Sequence, residues 1–193
     1  MGIRFTACTV CWVTLSIMQV IKAMLMAVSL FVWALPVSAE FSIAKYYMPN
    51  AGKVGEGRLR FMVWNVYDTT LYAPNGQFNT QEPFALSLRY LRSFSGEKIA
   101  ERTVQEMQTQ GVSDESQLSQ WLEQMTLIFP DVIRGDAITG VYTADGNVMF
   151  YLNTQRIGEI SDQTFAKRFF DIWLAENTRE PSLRKSLLGL PRS

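Results

Sequence analysis

The sequence predicts an α+β domain in which one antiparallel sheet is covered on one face by helices. Three observations support this class: alternating strands come first, two amphipathic helices follow, and a second group of strands leads into further helices. No internal repeat, low-complexity tract or interdomain linker breaks this order. The residues that follow the N-terminal segment, 40–193, are enough for one domain with its own core.

The strands are predicted from apolar residues that alternate with polar ones between turn signals. An Asp145-Gly146 pair between two alternating runs is typical of a hairpin, and Pro74-Asn75-Gly76 ends the longest run because proline removes a backbone donor. The predicted strands cover residues 42–47, 55–74, 84–92, 137–143, 147–152 and 156–160.

The helices are predicted from apolar residues at a spacing of three and four. Ser95, Asp114 and Ser161 or Asp162 are suitable N-caps, and Pro181 suits the first turn of a last short helix. The predicted helices cover residues 96–110, 114–129, 162–173 and 181–188.

The first 39 residues have the features of a secretory signal peptide. They contain no acidic residue, an apolar run from Ala23 to Leu35, and a small-x-small cleavage site at residues 37–39. The run is shorter than the roughly 20 apolar residues that span a bilayer. We expect cleavage before Glu40, translation from Met18, and a periplasmic or secreted protein with no integral membrane span. The alternative is an uncleaved anchor at residues 5–35.

Residues 40–193 contain neither histidine nor cysteine, because Cys8 and Cys11 both lie in the predicted signal. This composition argues against a disulfide framework, a Ser-His-Asp triad, and zinc or haem sites with thiolate or imidazole ligands. Sixteen basic and eighteen acidic residues give a formal charge of −2 without a clustered basic patch. We therefore expect no nucleic-acid partner, no metal and no cofactor.

Two arginines, Arg58 and Arg60, lie within the long predicted strand. Because side chains alternate across a strand, an unbroken strand places both on one face with Met62, Trp64 and Val66. That face joins positive charge to apolar surface.

Four segments resemble the chalcone isomerase family, and specifically its bacterial exported chalcone isomerase-like branch. The segments occur in the same order as in the family and are spread over residues 57–189. They are GRLRFMVWNVYDTTLYAP (57–74), PFALSLRYLRSFSGEKIAERTVQEM (83–107), FPDVIRGDAITGVY (129–142) and FAKRFFDIWLAENTREPSLRKSLLG (165–189).

The resemblance implies a large curved sheet with helices packed on one face, an open-faced sandwich, and a ligand cleft between the two layers. Within this superfamily, plant enzymes close chalcones to flavanones, other members bind fatty acids without catalysis, and some mitochondrial relatives are reported to bind haem. The fold alone does not choose among these activities.

The family's site residues can be carried over position by position. In the plant enzymes a strand arginine holds the substrate phenolate, and a threonine and a tyrosine organise water. Arg58 or Arg60 matches the arginine, Met62 falls at the threonine position, Ile99 at the tyrosine position, and Arg102 where the enzymes have a lysine. This site keeps its cations and loses two hydroxyls.

That pattern favours anion binding over ring closure. Cyclisation needs donors aimed at the developing charge, whereas an arginine beside apolar surface can hold the carboxylate of an acid with a hydrophobic tail. No catalytic residue is predicted. The predicted ligand-binding residues are Arg58, Arg60, Met62, Trp64, Tyr67, Ile99 and Arg102.

The leading hypothesis is an exported, non-catalytic protein that binds an amphipathic anion such as a fatty acid. One alternative is an isomerase or lyase acting on a phenolic or enone substrate, with Arg58 or Arg60 as the electrostatic group and Tyr67 as a donor. Another is haem binding with tyrosine or methionine as the axial ligand.

Each predicted cation also has an ordinary structural interpretation. Strand arginines often pair across strands with a carboxylate, for which Asp68 and Glu56 are available. Arg102 has Glu106 four residues later, the spacing of a surface ion pair on a helix.

Overall fold

The computed structural model describes residues 39–191, which form five helices and six strands. The predicted signal peptide, residues 1–39, lies outside this range except for Ala39. None of the described helices is long and apolar enough to cross a membrane. The elements are α1 (Ala39–Tyr47), β1 (Ala51–Phe61), β2 (Trp64–Pro74), β3 (Phe84–Tyr90), α2 (Gly96–Thr109), α3 (Glu115–Ile128), β4 (Ala137–Tyr142), β5 (Val148–Leu152), β6 (Gln155–Ile160), α4 (Gln163–Leu174) and α5 (Pro181–Leu187).

The six strands form one antiparallel sheet in the order of the sequence, β1-β2-β3-β4-β5-β6. Each strand therefore pairs with its neighbours in the chain, and α2 and α3 are inserted between β3 and β4. The predicted α+β class, with its open-faced sheet and helices, is confirmed.

The main core lies between one face of the sheet and the helices α2 to α5. Leu71, Leu86 and Phe150 point from the sheet into this core, where they meet Met107 of α2 and Phe165 of α4. All five side chains are fully buried. Alternate positions on these strands explain why the period of two was recognisable in the sequence.

Helix α1 covers part of the opposite face of the sheet, and here the sequence-based prediction of a strand at residues 42–47 was wrong. The buried positions Glu40, Ile43, Ala44 and Met48 have helical spacing and pack on the outer face. Over six residues, alternation and helical periodicity are hard to separate, so the local pattern was ambiguous. The Glu40 carboxylate forms an ion pair with Arg89 of β3, which fixes α1 to the sheet.

The predicted long strand at residues 55–74 is two strands joined by a two-residue turn at Met62-Val63. Met62 has a φ of 53°, the left-handed conformation that such a hairpin turn requires. Turns of this kind usually carry glycine, asparagine or aspartate, and their absence here concealed the hairpin.

The helix starts follow the predicted caps. Asp114 accepts hydrogen bonds from the amides of Ser116 and Gln117 at 3.0 and 3.1 Å. Asp162 caps α4 in the same way and also accepts the indole N–H of Trp121 at 2.8 Å, which ties α4 to α3. These side chains satisfy amides that a helix cannot pair internally.

Glycines at the edge strand β1 let α5 lie against its backbone. A Cβ on Gly55 would lie 2.2 Å from the carbonyl oxygen of Ser186, and one on Gly57 would lie 2.5 Å from Cδ1 of Leu183. Only glycine permits this approach. Helix α5 thereby closes the main core next to β1.

Candidate ligand-binding site

A cavity of about 430 Å³ lies between the sheet and the helices α2 and α4. Most of its apolar side chains are buried, and its charged side chains are mostly exposed, so the charges form the rim. The apolar part is lined by Leu59, Phe61, Val66, Leu88, Tyr90, Phe94, Ile99, Phe129, Ile138, Phe169, Ile172 and Trp173.

Arg60 and Lys98 provide two positive charges on the rim that have no carboxylate partner in the described part of the chain. Arg60 comes from the end of β1, and Lys98 from the first turn of α2. Among the ion pairs of residues 39–191, neither cation takes part. Their charge is therefore available to a ligand.

The other rim charges are largely neutralised by one another. Glu106 of α2 forms an ion pair with Arg102, and its Oε1 lies 3.9 Å from Nη1 of Arg179. Glu180 adds a second carboxylate. Four cations and two carboxylates leave the rim with a formal excess of two positive charges.

Arg58, which was predicted as a ligand-binding residue together with Arg60, does not line the cavity. Its Nε and Nη2 donate hydrogen bonds of 2.5 and 2.9 Å to the two carboxylate oxygens of Asp68. A bulge interrupts the pairing between Arg58 and the end of the strand: Leu59 is opposite Tyr67, Arg60 is opposite Asn65, and Val66 of β2 is the extra residue.

Met62 and Trp64 do not line the cavity. Met62 lies at the tip of the hairpin, where 83% of its surface is exposed, and Trp64 is 55% exposed beside Arg92. They were predicted to line a cleft on the assumption of an unbroken strand. The turn takes both residues past the edge of the cavity.

The cavity does bring together Arg60, Tyr67, Ile99 and Arg102, four of the predicted site residues. Sequence reasoning missed Lys98 on the same rim. It also missed the parts of the wall that come from distant segments, Phe129 after α3 and the run Thr178–Glu180 after α4. For Thr103 and Glu106 a signal existed, since they follow Ile99 by four and seven residues on one face of α2.

Tyr67 is one of two buried tyrosines in the cavity wall. Its phenol oxygen accepts a hydrogen bond of 2.8 Å from the indole N–H of Trp173. Burial raises the pKa of Tyr67 well above its ordinary value, so the phenol stays protonated at neutral pH. Within residues 39–191, no protein acceptor for the phenol proton is found, which leaves this proton free for a ligand.

The two threonine hydroxyls of the wall are already engaged. Thr103 donates to the carbonyl oxygen of Ile99 at 2.8 Å, and Thr178 donates to that of Ile172 at 2.6 Å. Both bonds keep the hydroxyl protons on the main chain. The remaining phenol, Tyr90, is fully buried, and burial raises its pKa as well.

Comparison with known proteins agrees with this architecture. Residues 54–189 match the family described as chalcone isomerase-like. The chain belongs to this family. An uncharacterized protein of Haemophilus influenzae is 28% identical over 141 residues, which are 72% of this chain and 69% of that protein.

A crystal structure of a fatty-acid binding protein from Arabidopsis thaliana has the same fold. The TM-score is 0.55 at 11% sequence identity, with 72% of this chain and 87% of that one covered. At this identity the likeness concerns the fold alone. The open-faced sandwich expected of a chalcone isomerase-like protein is thus confirmed.

Two positions at which the sequence predicted apolar replacements of the enzymes' hydroxyls can now be located relative to the cavity. Ile99, which the resemblance places at the position of the enzymes' tyrosine, lines the cavity. Met62, which the resemblance places at the position of their threonine, does not, because the hairpin turn occurs there. The apolar replacement that the sequence predicted inside the cavity therefore applies at one position only.

Proposed function

We propose that this chalcone isomerase-like protein is an exported, non-catalytic binding protein for an amphipathic anion with a single hydrocarbon tail, such as a fatty acid. The observation that carries this proposal is the pair Arg60 and Lys98, two cations on the rim of an apolar cavity that have no carboxylate partner within residues 39–191. A carboxylate satisfies these cations, and its tail replaces water against the apolar walls.

The size of the cavity supports a ligand with one tail. At about 430 Å³ it lies near the lower end of the range of small-molecule sites, about 300–1,000 Å³. A lipid with two chains needs more room. The Arabidopsis protein of the same fold is described as a fatty-acid binding protein, which agrees with the proposed class of ligand.

The hydrogen bonds of the wall favour binding over ring closure. Thr103 and Thr178 donate to main-chain carbonyls, so among the hydroxyls of the described cavity wall the phenols of Tyr67 and Tyr90 keep a proton to offer. Two neutral donors and the rim cations can orient a carboxylate, whereas an isomerase needs several donors placed around the developing oxyanion.

The first test is native mass spectrometry of the protein purified from the cells that naturally produce it. The ligand is then extracted and identified. We expect a stoichiometric acid with one hydrocarbon tail. An Arg60→Gln variant should lose it, because the hydrogen bonds of a charged pair contribute about 1.5–3 kcal/mol, or at least tenfold in affinity.

Arg58→Gln is the matched control. It removes the same charge two residues away, but from the outer face of the sheet, where Arg58 pairs with Asp68. We expect this variant to keep its ligand. Loss of ligand in Arg58→Gln but not in Arg60→Gln would contradict the proposed site, and turnover of a chalcone by the ligand-free protein would favour the isomerase instead.

A further inference from the structure

The β1–β2 hairpin ends in four consecutive apolar residues that face solvent. We call residues 61–64 the hairpin tip. Met62 and Val63, in the turn itself, are each 83% exposed, and the flanking pair Phe61 and Trp64 are 62% and 55% exposed. No other group of adjacent large apolar residues within 39–191 is exposed in this way: Tyr46, Leu127, Ile133 and Leu190 occur singly.

Single exposed apolar residues are ordinary, but a continuous exposed patch marks an interaction site. Within the described part of the chain, burial of the tip by this protein's own elements is not observed. The two-residue turn projects its side chains beyond the end of the sheet, so a flat protein surface would cover only part of them. A fluid phase, such as a lipid layer, can surround the tip and cover all of its side chains.

Positive charge surrounds the base of the tip. Arg60 precedes it, and the Arg92 guanidinium lies 4.2 Å from the ring centroid of Trp64. No acidic residue occurs between Gly57 and Tyr67. Arginine and tryptophan next to an apolar tip are typical of segments at a membrane interface, where the cations reach anionic headgroups and the indole lies at the headgroup level.

We propose that the hairpin tip inserts into the surface of an anionic lipid membrane. Met62 and Val63 enter the boundary between headgroups and acyl chains, Trp64 lies at headgroup depth, and Arg60 and Arg92 contact lipid phosphates. This apolar insertion and the charge attraction reinforce each other, since membrane binding of such segments depends on both.

Docking in this way brings the cavity to the membrane. Phe61 and Arg60 belong both to the base of the tip and to the rim of the cavity. An amphipathic ligand then passes between the lipid phase and the cavity without crossing bulk water. This last consequence rests on the proposed function, whereas insertion of the tip does not.

The test uses the protein as it accumulates in cells, mixed with vesicles of phosphatidylglycerol and phosphatidylcholine whose acyl chains carry bromine. Bromine quenches indole fluorescence at short range, and the signal of Trp64 is obtained by subtracting a Trp64→Phe variant. This local signal is needed because the apolar N-terminal run would itself bind vesicles wherever it is retained. We expect quenching of Trp64 that weakens in vesicles of phosphatidylcholine alone.

A Met62→Ser/Val63→Ser double variant should weaken the membrane association of the tip at least about tenfold, because each large apolar side chain contributes roughly a factor of ten or more. Leu127→Ser is the matched control, since Leu127 is 82% exposed but lies on α3. It should leave the quenching unchanged. The double variant should also keep its cavity ligand, which separates docking from binding.

Two results would overturn the proposal. Trp64 that is not quenched in anionic vesicles shows that the tip stays outside the membrane. A concentration-dependent dimer in analytical ultracentrifugation that the double variant abolishes, with no quenching by vesicles, assigns the tip to contact between copies of the chain.

Discussion

The indole N–H of Trp173 on α4 donates a hydrogen bond of 2.8 Å to the phenol oxygen of Tyr67 on β2. This bond joins a helix to the sheet across the wall of the cavity, with both side chains buried. It also directs the chemistry of the phenol, because an oxygen that accepts from Trp173 keeps its own proton for the cavity. In the proposed function, Tyr67 therefore contributes both to stability and to the orientation of the ligand.

Tyr67→Phe should destabilise the protein by about 1–3 kcal/mol, because the Trp173 N–H then remains buried without an acceptor. Urea unfolding followed by circular dichroism measures this loss. The same variant should bind the ligand more weakly. Tyr90→Phe is the control, since Tyr90 lines the same cavity and no hydrogen bond of its phenol is found within residues 39–191. An equal loss of stability in Tyr67→Phe and Tyr90→Phe would contradict the role of the Trp173 hydrogen bond.

Stability should decrease as the pH rises above about 10. Burial raises the folded-state pKa of both Tyr67 and Tyr90, whereas the unfolded chain ionises near 10. The stability that these two pKa shifts contribute is fully present below that pH. As the pH rises from there towards the raised folded pKa, it is lost by up to about 1.4 kcal/mol per pH unit for each tyrosine.

Urea midpoints measured at several pH values between neutrality and about 11 follow this decrease. In Tyr90→Phe the free energy of unfolding should fall less steeply above a pH of about 10, because one of the two tyrosine contributions is removed. An unchanged slope in that variant would show that Tyr90 does not contribute.

Gly55→Ala should reduce stability by about 1–3 kcal/mol through overpacking. The added Cβ would meet the rigid backbone carbonyl of Ser186, so α5 must move away from β1. Gly57→Ala should cost less, because its Cβ meets the flexible end of Leu183. Thermal unfolding shows which of the two variants loses more stability. A larger loss of stability for Gly57→Ala would contradict the close approach of α5.

Thr69→Val should stabilise the protein by about 1 kcal/mol. The Thr69 hydroxyl is buried on the core face of β2 and has no hydrogen-bond partner among the described residues. Removing an unsatisfied buried hydroxyl while keeping the shape of the side chain relieves its desolvation cost. Thr139→Val is the matched control, because Thr139 donates to the Ser87 hydroxyl at 3.1 Å, and this variant should be less stable than the wild type. The reverse order would contradict the assignment.

Local patterns predicted most of the fold because most elements follow one clear periodicity. Asp114 and Asp162 marked helix starts, and the Asp145-Gly146 pair marked a hairpin, since each uses residues whose chemistry suits that position. Helix α1 was missed because its burial against the outer face depends on tertiary contacts such as Glu40 with Arg89. A six-residue window does not contain that information.

The candidate site was predictable only in part, because a turn and a bulge interrupt the long strand that the sequence predicted. The turn at Met62 and the extra residue Val66 have no characteristic sequence, and the turn takes Met62 and Trp64 away from the cavity. The charges and the aromatic residues were visible in the sequence. Their assembly around one cavity depends on segments far apart in the chain, such as Phe129 and Arg179.

A crystal structure of the protein in complex with a long-chain fatty acid tests the proposed site most directly. We expect the carboxylate at the rim within hydrogen-bond distance of Arg60, and the tail in the cavity against Phe129 and Phe169. A fatty acid with its carboxylate at the apolar end, or one bound on the outer face near Arg58 with the cavity empty, would contradict the proposed function.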